Sequence, residues 1–305
     1  MLVLVGPTAI GKTELSLQLA EQFHCEIVSV DSMQVYRFMD IGTAKVSIEE
    51  RARIPHHLID VVEPDAEYDA ACFVRDAMRA IADIHGRGRV PLLTGGTGLY
   101  LRALVNGLSA DIGQFPAIRD QLQKRLTSVG SDKLHEELYR CDRISAERIN
   151  KNDTHRLLRA LEIYQATGRP WSEHIALHQQ QKTSRFSNML QIGLTCDRDL
   201  LYLRIDMRTS LMLGSGLEQE VRRLIARGYS PQLKSMQAIG YRHMSNYLSN
   251  VWDMPETERL LARDTRRYAK RQYTWFAASP DLEWFEVQNH EGIVKRIAGW
   301  IGRSS

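Results

Sequence analysis

Gly6-Pro7-Thr8-Ala9-Ile10-Gly11-Lys12-Thr13 is the stretch that decides the fold. An apolar, β-branched run, residues 2–5, leads into it. Out of it comes a segment in which Leu15, Leu19 and Phe23 recur at spacings of four, the period of a helix. Strand, glycine loop and helix in that order form the context in which G-x-x-x-x-G-K-[ST] cradles a phosphate chain. The glycines let backbone N–H groups converge on phosphate oxygens, and the helix N-terminus adds its positive dipole end. Lys12 brings a cation to the terminal phosphate, and Thr13 offers a hydroxyl to Mg²⁺. The loop therefore predicts a polyphosphate ligand, held by Gly6, Thr8, Ala9, Ile10, Gly11, Lys12 and Thr13. It does not say which polyphosphate.

Outward from the loop, strands alternate with helices. Residues 26–30 read as a second buried strand ending at Asp31-Ser32, and residues 57–62 are a candidate third. A helix is expected over 69–85, with Phe73, Ala77 and Ile81 on one face. Residues 90–94 form a strand stopped by Gly95-Gly96, and a helix runs on to residue 104. This alternation predicts a parallel sheet covered on both faces. The pattern changes near residue 109. Up to about residue 181 only helical stretches occur, over 116–126, 132–139 and 153–167, the last stopped by Gly168-Arg169-Pro170. A strand returns at 189–195, followed by helices over 198–214, 217–227 and 255–275 and a late edge strand at 282–287. The expected fold is α/β, a P-loop NTPase-like parallel sheet with flanking helices and an all-helical insertion domain. Residues 1–112 make the first part of the core, 113–185 the insertion, and 186–305 complete the core with basic C-terminal helices.

Composition excludes several classes. The chain has 305 residues, 43% of them hydrophobic and 25% charged, so a core can form and disorder over most of the length is excluded. Cys25, Cys72, Cys141 and Cys196 are far apart with no metal-ligand spacing, which excludes a disulfide scaffold and reads as reduced thiols. No apolar run approaches the ~20 residues of a membrane span, and the apolar start meets Gly6-Pro7 too soon for a signal peptide. A cytoplasmic protein without membrane contact is expected, as a monomer. The net charge of +3 hides an asymmetry: residues 200–305 carry 16 basic against 11 acidic side chains. The surplus peaks at Arg259, Arg263, Arg266, Arg267, Lys270 and Arg271. Their three- to four-residue spacing makes one cationic helix stripe, suited to tracking a polyanion backbone.

The chemistry should gather at the carboxyl ends of the strands, where open α/β sheets bind ligands. Asp31 ends one strand and Thr97 follows another, so both should face the phosphate loop. Asp60 is a rival to Asp31 as a metal-holding carboxylate. His56 and His57 are adjacent on a strand, point to opposite faces and make poor co-ligands; one is expected packed and the other hydrogen-bonded. Arg156 and Arg159 share a helix face.

Beyond the loop, Asp31-Ser32-Met33-Gln34-Val35-Tyr36, Met39-Asp40-Ile41-Gly42-Thr43-Ala44-Lys45, His56-His57-Leu58-Ile59-Asp60 and Gly95-Gly96-Thr97-Gly98-Leu99-Tyr100 stand in order. So do Arg156-Leu157-Leu158-Arg159-Ala160-Leu161-Glu162, Gln237-Ala238-Ile239-Gly240-Tyr241-Arg242 and Ala269-Lys270-Arg271-Gln272-Tyr273-Thr274-Trp275-Phe276. Together, over residues 3–276, they resemble the tRNA dimethylallyltransferases (tRNA isopentenyltransferases) of bacterial type, without the zinc-finger extension of eukaryotic relatives. The resemblance implies transfer of the dimethylallyl group of dimethylallyl diphosphate to N6 of the adenosine on the 3′ side of the anticodon, in tRNAs reading codons that begin with U. It implies Mg²⁺, a diphosphate rather than a nucleoside triphosphate in the loop, Asp31 as general base, Thr97 as a positioning hydroxyl and Arg208 as a further cation on the leaving group. It also implies tRNA contacts at Asp31, Ser32, Met33, Gln34, Thr97, Arg119, His155, Arg156, Leu157, Leu158, Arg159, Gln237, Gly240, Tyr241, Arg242, Lys270 and Arg271. Val46 stands where the family often has Pro, and Ala277 where Arg is common. The competing readings are an isopentenyltransferase or kinase acting on a small nucleotide, and a non-catalytic RNA-binding protein.

Overall fold

The structure, a computed structural model, describes residues 1–107, 112–180 and 185–302. The chain divides into two compact units, Met1–Val105 with Phe186–Ser305, and Asn106–Arg185. The first unit begins β1 (Leu2–Val5), α1 (Lys12–Gln22), β2 (Cys25–Val30), α2 (Ile48–Arg53), β3 (His56–His57), α3 (Ala70–Gly86), β4 (Val90–Gly95) and α4 (Gly98–Asn106). The second unit holds α5 (Pro116–Cys141), α6 (Arg143–Arg148), α7 (Thr154–Thr167) and α8 (Trp171–Gln180). The first unit resumes with β5 (Leu190–Thr195), α9 (Arg198–Gly214), α10 (Leu217–Ala226), α11 (Tyr241–Leu248), α12 (Met254–Ala277), β6 (Leu282–Glu286) and α13 (His290–Ile301).

The six strands form one parallel sheet in the order β3-β2-β4-β1-β5-β6. β1 and β4 are neighbours in register, Val5 beside Gly95, and β2 is next, Val30 beside Gly95. The phosphate loop, the second glycine turn and Asp31 thus leave three adjacent strand ends. Strands buried on both faces need apolar residues at every position, and β1 is buried throughout. One face packs Leu15 and Leu19 of α1, Ile205 of α9 and Ile293 and Ile297 of α13 against Leu4, Ile27 and Ile192. The other packs Phe73, Ala77 and Ile81 of α3 and Leu104 of α4 against Val3, Val28 and Leu93.

The structure departs from the sequence expectations at β3 and in five further helices. β3 is only two residues, because Leu58 and Asp60 take left-handed backbone angles (φ 63 and 56) that a strand does not allow. The two helices expected over 116–126 and 132–139 both occur within α5, separated by a break at Gly130, whose φ of 81 and ψ of 167 are non-helical. Helices α2, α6, α8, α11 and α13 add to those expected, although α13 carries an apolar stripe at Ile293 and Ile297 and α11 one at Tyr241 and Met244. Side-chain caps start three of them, Ser47 for α2, Asp142 for α6 and Asn289 for α13. Among the described residues, no helix is long and apolar enough to cross a membrane.

Candidate active site

The phosphate loop is built by backbone geometry. Ala9 and Gly11 take positive φ (65 and 105), which turns successive N–H groups inward. Gly11 caps α1 without a side-chain hydrogen bond, so the first-turn N–H groups face the loop's concavity without a cap. Gly6 and Ile10 lie buried beneath the loop. Arg204 of α9 donates to the Ile10 carbonyl at 2.9 Å and braces the loop from behind.

A cavity of about 350 Å³ opens here, lined by Thr8, Ala9, Gly11, Lys12, Thr13, Asp31, Gln34, Arg208, Tyr268 and Gln272 among others. Lys12 and Arg208 both face it. Lys12 Nζ donates to the Gly6 and Pro7 carbonyls at 2.9 and 2.7 Å. Burial, and secondarily the Arg208 charge, pulls its pKa down to about 7, with Asp31 acting in the opposite sense. Arg208 is likewise lowered by burial and raised by Asp31, so the three charges share one neighbourhood. Among the described residues Arg208 has no carboxylate or hydrogen-bond partner. Asp31 Oδ1 accepts from the Met33 and Gln34 N–H groups at 2.8 and 3.3 Å, a turn that fixes the carboxylate. Thr97 Oγ1 accepts from the Ser32 N–H at 3.0 Å, which ties the second glycine turn to the Asp31 segment.

Thr13 and Asp31 offer oxygen donors to this cavity, and the Thr94 hydroxyl, buried there, has no partner. No group of three or more His, Cys, Asp or Glu forms a metal site among the described residues. Such a sparse, oxygen-only set fits Mg²⁺, which keeps waters and phosphate oxygens as most of its ligands. Asp60 does not join it. Its carboxylate is held by Lys45 at 2.7 Å and Arg51 at 2.6 Å, away from the phosphate loop. His57 bonds Glu26 at 2.8 Å, whereas His56 bonds the Ile54 carbonyl at 2.7 Å and lines the cavity, its pKa lowered by burial. Both histidines are hydrogen-bonded, where one packed ring was expected.

Several residues carry the site without having been singled out. Gln272 is 5% exposed and spans the two glycine turns. Tyr268, one turn before it on α12, sits against Thr97 and Gln272, its hydroxyl pushed up in pKa by burial and by Asp31. Glu220, 3% exposed, accepts from the Asp40, Ile41 and Gly42 N–H groups at 2.8–3.2 Å and from the Tyr241 hydroxyl at 2.7 Å. It pins the loop whose Thr43 and Ala44 carbonyls receive the Gln34 amide at 3.4 Å. Gln272 stands inside the run Ala269–Phe276 without a role attached to it, and a lone Tyr or Glu within a polar helix looks like solvated surface.

The expected tRNA contacts divide by exposure. Tyr241 is fully buried against Gly42, and Gly240 is buried beside it, so neither side is open to an RNA. Leu157 and Leu158 are 0% and 2% exposed in the core of the second unit, so their side chains cannot be contact residues. In that unit the buried Glu162 pairs with Arg119 at 3.1 Å and Arg159 at 2.8 Å, and His155 lies 3.4 Å from Arg119. Arg156 and His155 are both exposed, Arg156 only loosely paired with Asp153 at 3.3 Å. On α12, Asp264 gathers Arg242, His243, Arg263 and Arg267, Arg259 pairs with Glu256, and Arg266 pairs with Asp206. The expected open stripe is thus largely neutralised from within. Lys270 and Arg271 remain exposed without a carboxylate partner among the described residues, Arg271 lying over the Tyr268 ring. Ser32, Met33 and Gln34 are half-buried at the cavity side, and Gln237 is exposed.

Fold and cavity define an α/β protein of the P-loop class with a cavity lined by two buried cations, Lys12 and Arg208. Comparison with known proteins narrows the class. An IPP transferase family model matches residues 34–279, and an isopentenyl transferase model matches residues 1–54. A tRNA dimethylallyltransferase of Desulfotalea psychrophila is 56% identical over 301 residues, spanning 99% of this chain and 95% of that protein. The crystal structure of the tRNA isopentenylpyrophosphate transferase of Bacillus halodurans superposes with a TM-score of 0.72 at 40% identity, covering 99% of this chain and 96% of that one. A eukaryotic dimethylallyltransferase acting on tRNA superposes with a TM-score of 0.78 at 31% identity, covering 94% and 73%. The chain belongs to the IPP transferase family, whose curated homologues are tRNA dimethylallyltransferases.

Proposed function

We propose that this chain transfers the dimethylallyl group from dimethylallyl diphosphate to N6 of the adenosine 3′-adjacent to the anticodon, in tRNAs reading U-starting codons. The observation that carries the assignment of roles is the meeting of Lys12, Arg208 and Asp31 in one cavity at the strand ends. The C1–O bond breaks with its electron pair passing to the diphosphate, while N6 bonds to C1 and releases a proton. Loop N–H groups, Lys12 and Arg208 stabilise the charge gathering on the leaving group. Asp31 receives the proton from N6, as a carboxylate held in place by its own turn. Thr97 and Ser32 hold the acceptor side. Thr13, with Asp31 and Thr94 nearby, would hold Mg²⁺, which when bound supplies further neutralisation of diphosphate charge.

The acceptor base must leave the anticodon-loop stack to reach this cavity, and single-stranded loop bases are the cheapest to extract. For the tRNA surface we propose Asp31, Ser32, Met33, Gln34, Thr97, Gln237 and the exposed cations Arg156, Lys270 and Arg271, with Arg242 contributing through the Asp264 cluster. We assign residues 113–185 to an insertion that acts with the tRNA, and a monomer working in the cytoplasm, where its substrate is. Labelled dimethylallyl diphosphate incubated separately with bulk tRNA, AMP and ATP tests the reading. Label in tRNA alone is expected; label in AMP or ATP would replace it with a small-nucleotide prenyltransferase.

A further inference from the structure

Beyond the strand ladder, no backbone hydrogen bond joins the phosphate loop to the second glycine turn among the described residues. Their spacing is instead spanned by one side chain. Gln272 Oε1 accepts the Thr8 N–H at 2.8 Å, and its Nε2 donates to the Gly96 carbonyl at 2.9 Å. The amide is buried and belongs to neither turn: it comes from α12, 264 residues from Thr8 and 176 from Gly96. Gly96 is the residue that admits it. A Cβ there would lie 2.1 Å from Nε2, which no contact tolerates. Tyr268, one helical turn earlier, lies beside Thr97 and Gln272.

We propose that Gln272 is a positioning residue for prenyl transfer, a strut that sets the distance between the leaving-group cradle and the acceptor side. The inference rests on the function proposed above. In-line transfer requires C1 to sit between the diphosphate oxygen and N6, so the cradle and the Asp31–Thr97 side must be held at one separation. A misplacement of about 1 Å costs on the order of 10²-fold in rate. A glutamine suits the task because it has an acceptor oxygen and a donor NH2 on one rigid planar group, able to meet an N–H and a C=O at once. It also has no charge to compete with the diphosphate.

The test compares wild type, Gln272→Ala, Gln272→Glu and Gly96→Ala, with single-turnover transfer to tRNA at saturating substrates, inorganic diphosphate affinity and thermal midpoint measured for each. Gln272→Glu keeps the volume and the Thr8 contact but faces the Gly96 carbonyl with a second acceptor, so it reports even where the smaller variant fails to fold. The expected result is a transfer rate lowered about 10²-fold in Gln272→Ala and Gly96→Ala, with diphosphate affinity of Gln272→Ala changed less than about threefold, since its loss frees the Thr8 N–H. The two substitutions remove one strut, so the double variant should be no slower than either single one. Transfer rates equal to wild type in folded variants, with only the thermal midpoint lowered, would overturn the proposal, as would additive losses. If wild type itself transfers nothing to tRNA, the functional reading fails instead, which keeps the two failures apart.

Discussion

The cations of the cavity and those of the C-terminal helix are opposites in how they are partnered. Lys12 and Arg208 lie at the foot of the strand ends, drawn down in pKa by burial, and neither has a carboxylate in contact among the described residues. Arg259, Arg263, Arg266 and Arg267 of α12 are more numerous but answered by Glu256, Asp264 and Asp206. A buried cation without a partner is costly to maintain, and that cost falls when an anion arrives. These four helix arginines are already satisfied, unlike Lys270 and Arg271, and exposed pairs of this sort are worth ~0–1 kcal/mol each. Counting positive residues therefore points to the helix, whereas a cation that the fold leaves unanswered points to the cavity.

The sharpest break of this contrast is in the cavity. Asp31→Asn should slow transfer by about 10²-fold or more while leaving diphosphate binding in place. Lys12→Ala and Arg208→Ala should each cost about 10²–10³-fold in turnover, the scale of removing one donor from a developing anion. Arg208→Ala should act on turnover rather than on ground-state affinity. Single-turnover kinetics decide this, and a change in tRNA affinity alone would mean that Arg208 serves the other substrate.

The helix cations predict a smaller effect, read from salt dependence. Each phosphate contact adds roughly 0.7–0.9 to the slope of log affinity against log salt. Replacing Lys270 and Arg271 by Ala should flatten the tRNA-binding slope by about that amount per residue. Replacing Arg263 and Arg267 should leave the slope unchanged and lower the thermal midpoint slightly, because their charge is spent on Asp264. If the four residues contribute equally to the slope, internal pairing does not decide which cations meet RNA.

The subtlest test follows the Lys12 proton. Burial lowers its pKa in the folded protein to about 7, against 10.5 when exposed. Between these values the unfolded chain holds more protons, so this group makes the empty protein more stable as pH rises from about 7 towards 10.5. Diphosphate restores the charged form, so binding at pH 8.5 should take up a proton. Calorimetry in two buffers of different ionisation enthalpy measures that uptake, and Lys12→Ala should abolish it. Arg263→Ala should not change it.

Much of the fold was legible locally. The loop from Gly6 to Thr13 with its flanking periodicities, the strand ends at Asp31 and Gly95, and the edge strand before Val287 all rest on neighbours in sequence. Several elements were not read from the sequence: α11 and α13 went unexpected, and β3 ends early because Leu58 and Asp60 turn into the left-handed region. The site was half legible. Lys12, Thr13 and Asp31 follow from motif and strand end, whereas His56 and Thr94 reach the cavity only because β3 and β4 flank β2.

The sequence by itself determined the phosphate-binding loop, the alternating α/β order and the family, since each lies in runs of adjacent residues whose period or spacing is fixed by backbone geometry. The tertiary structure alone decided which charges are free and which amide joins the two glycine turns. Arg242 and Asp264, or Thr8 and Gln272, meet across 22 and 264 residues. Such contacts depend on how packed helices close over the sheet, and the energy that selects them, a buried polar group finding its one partner, exists only once water has been excluded.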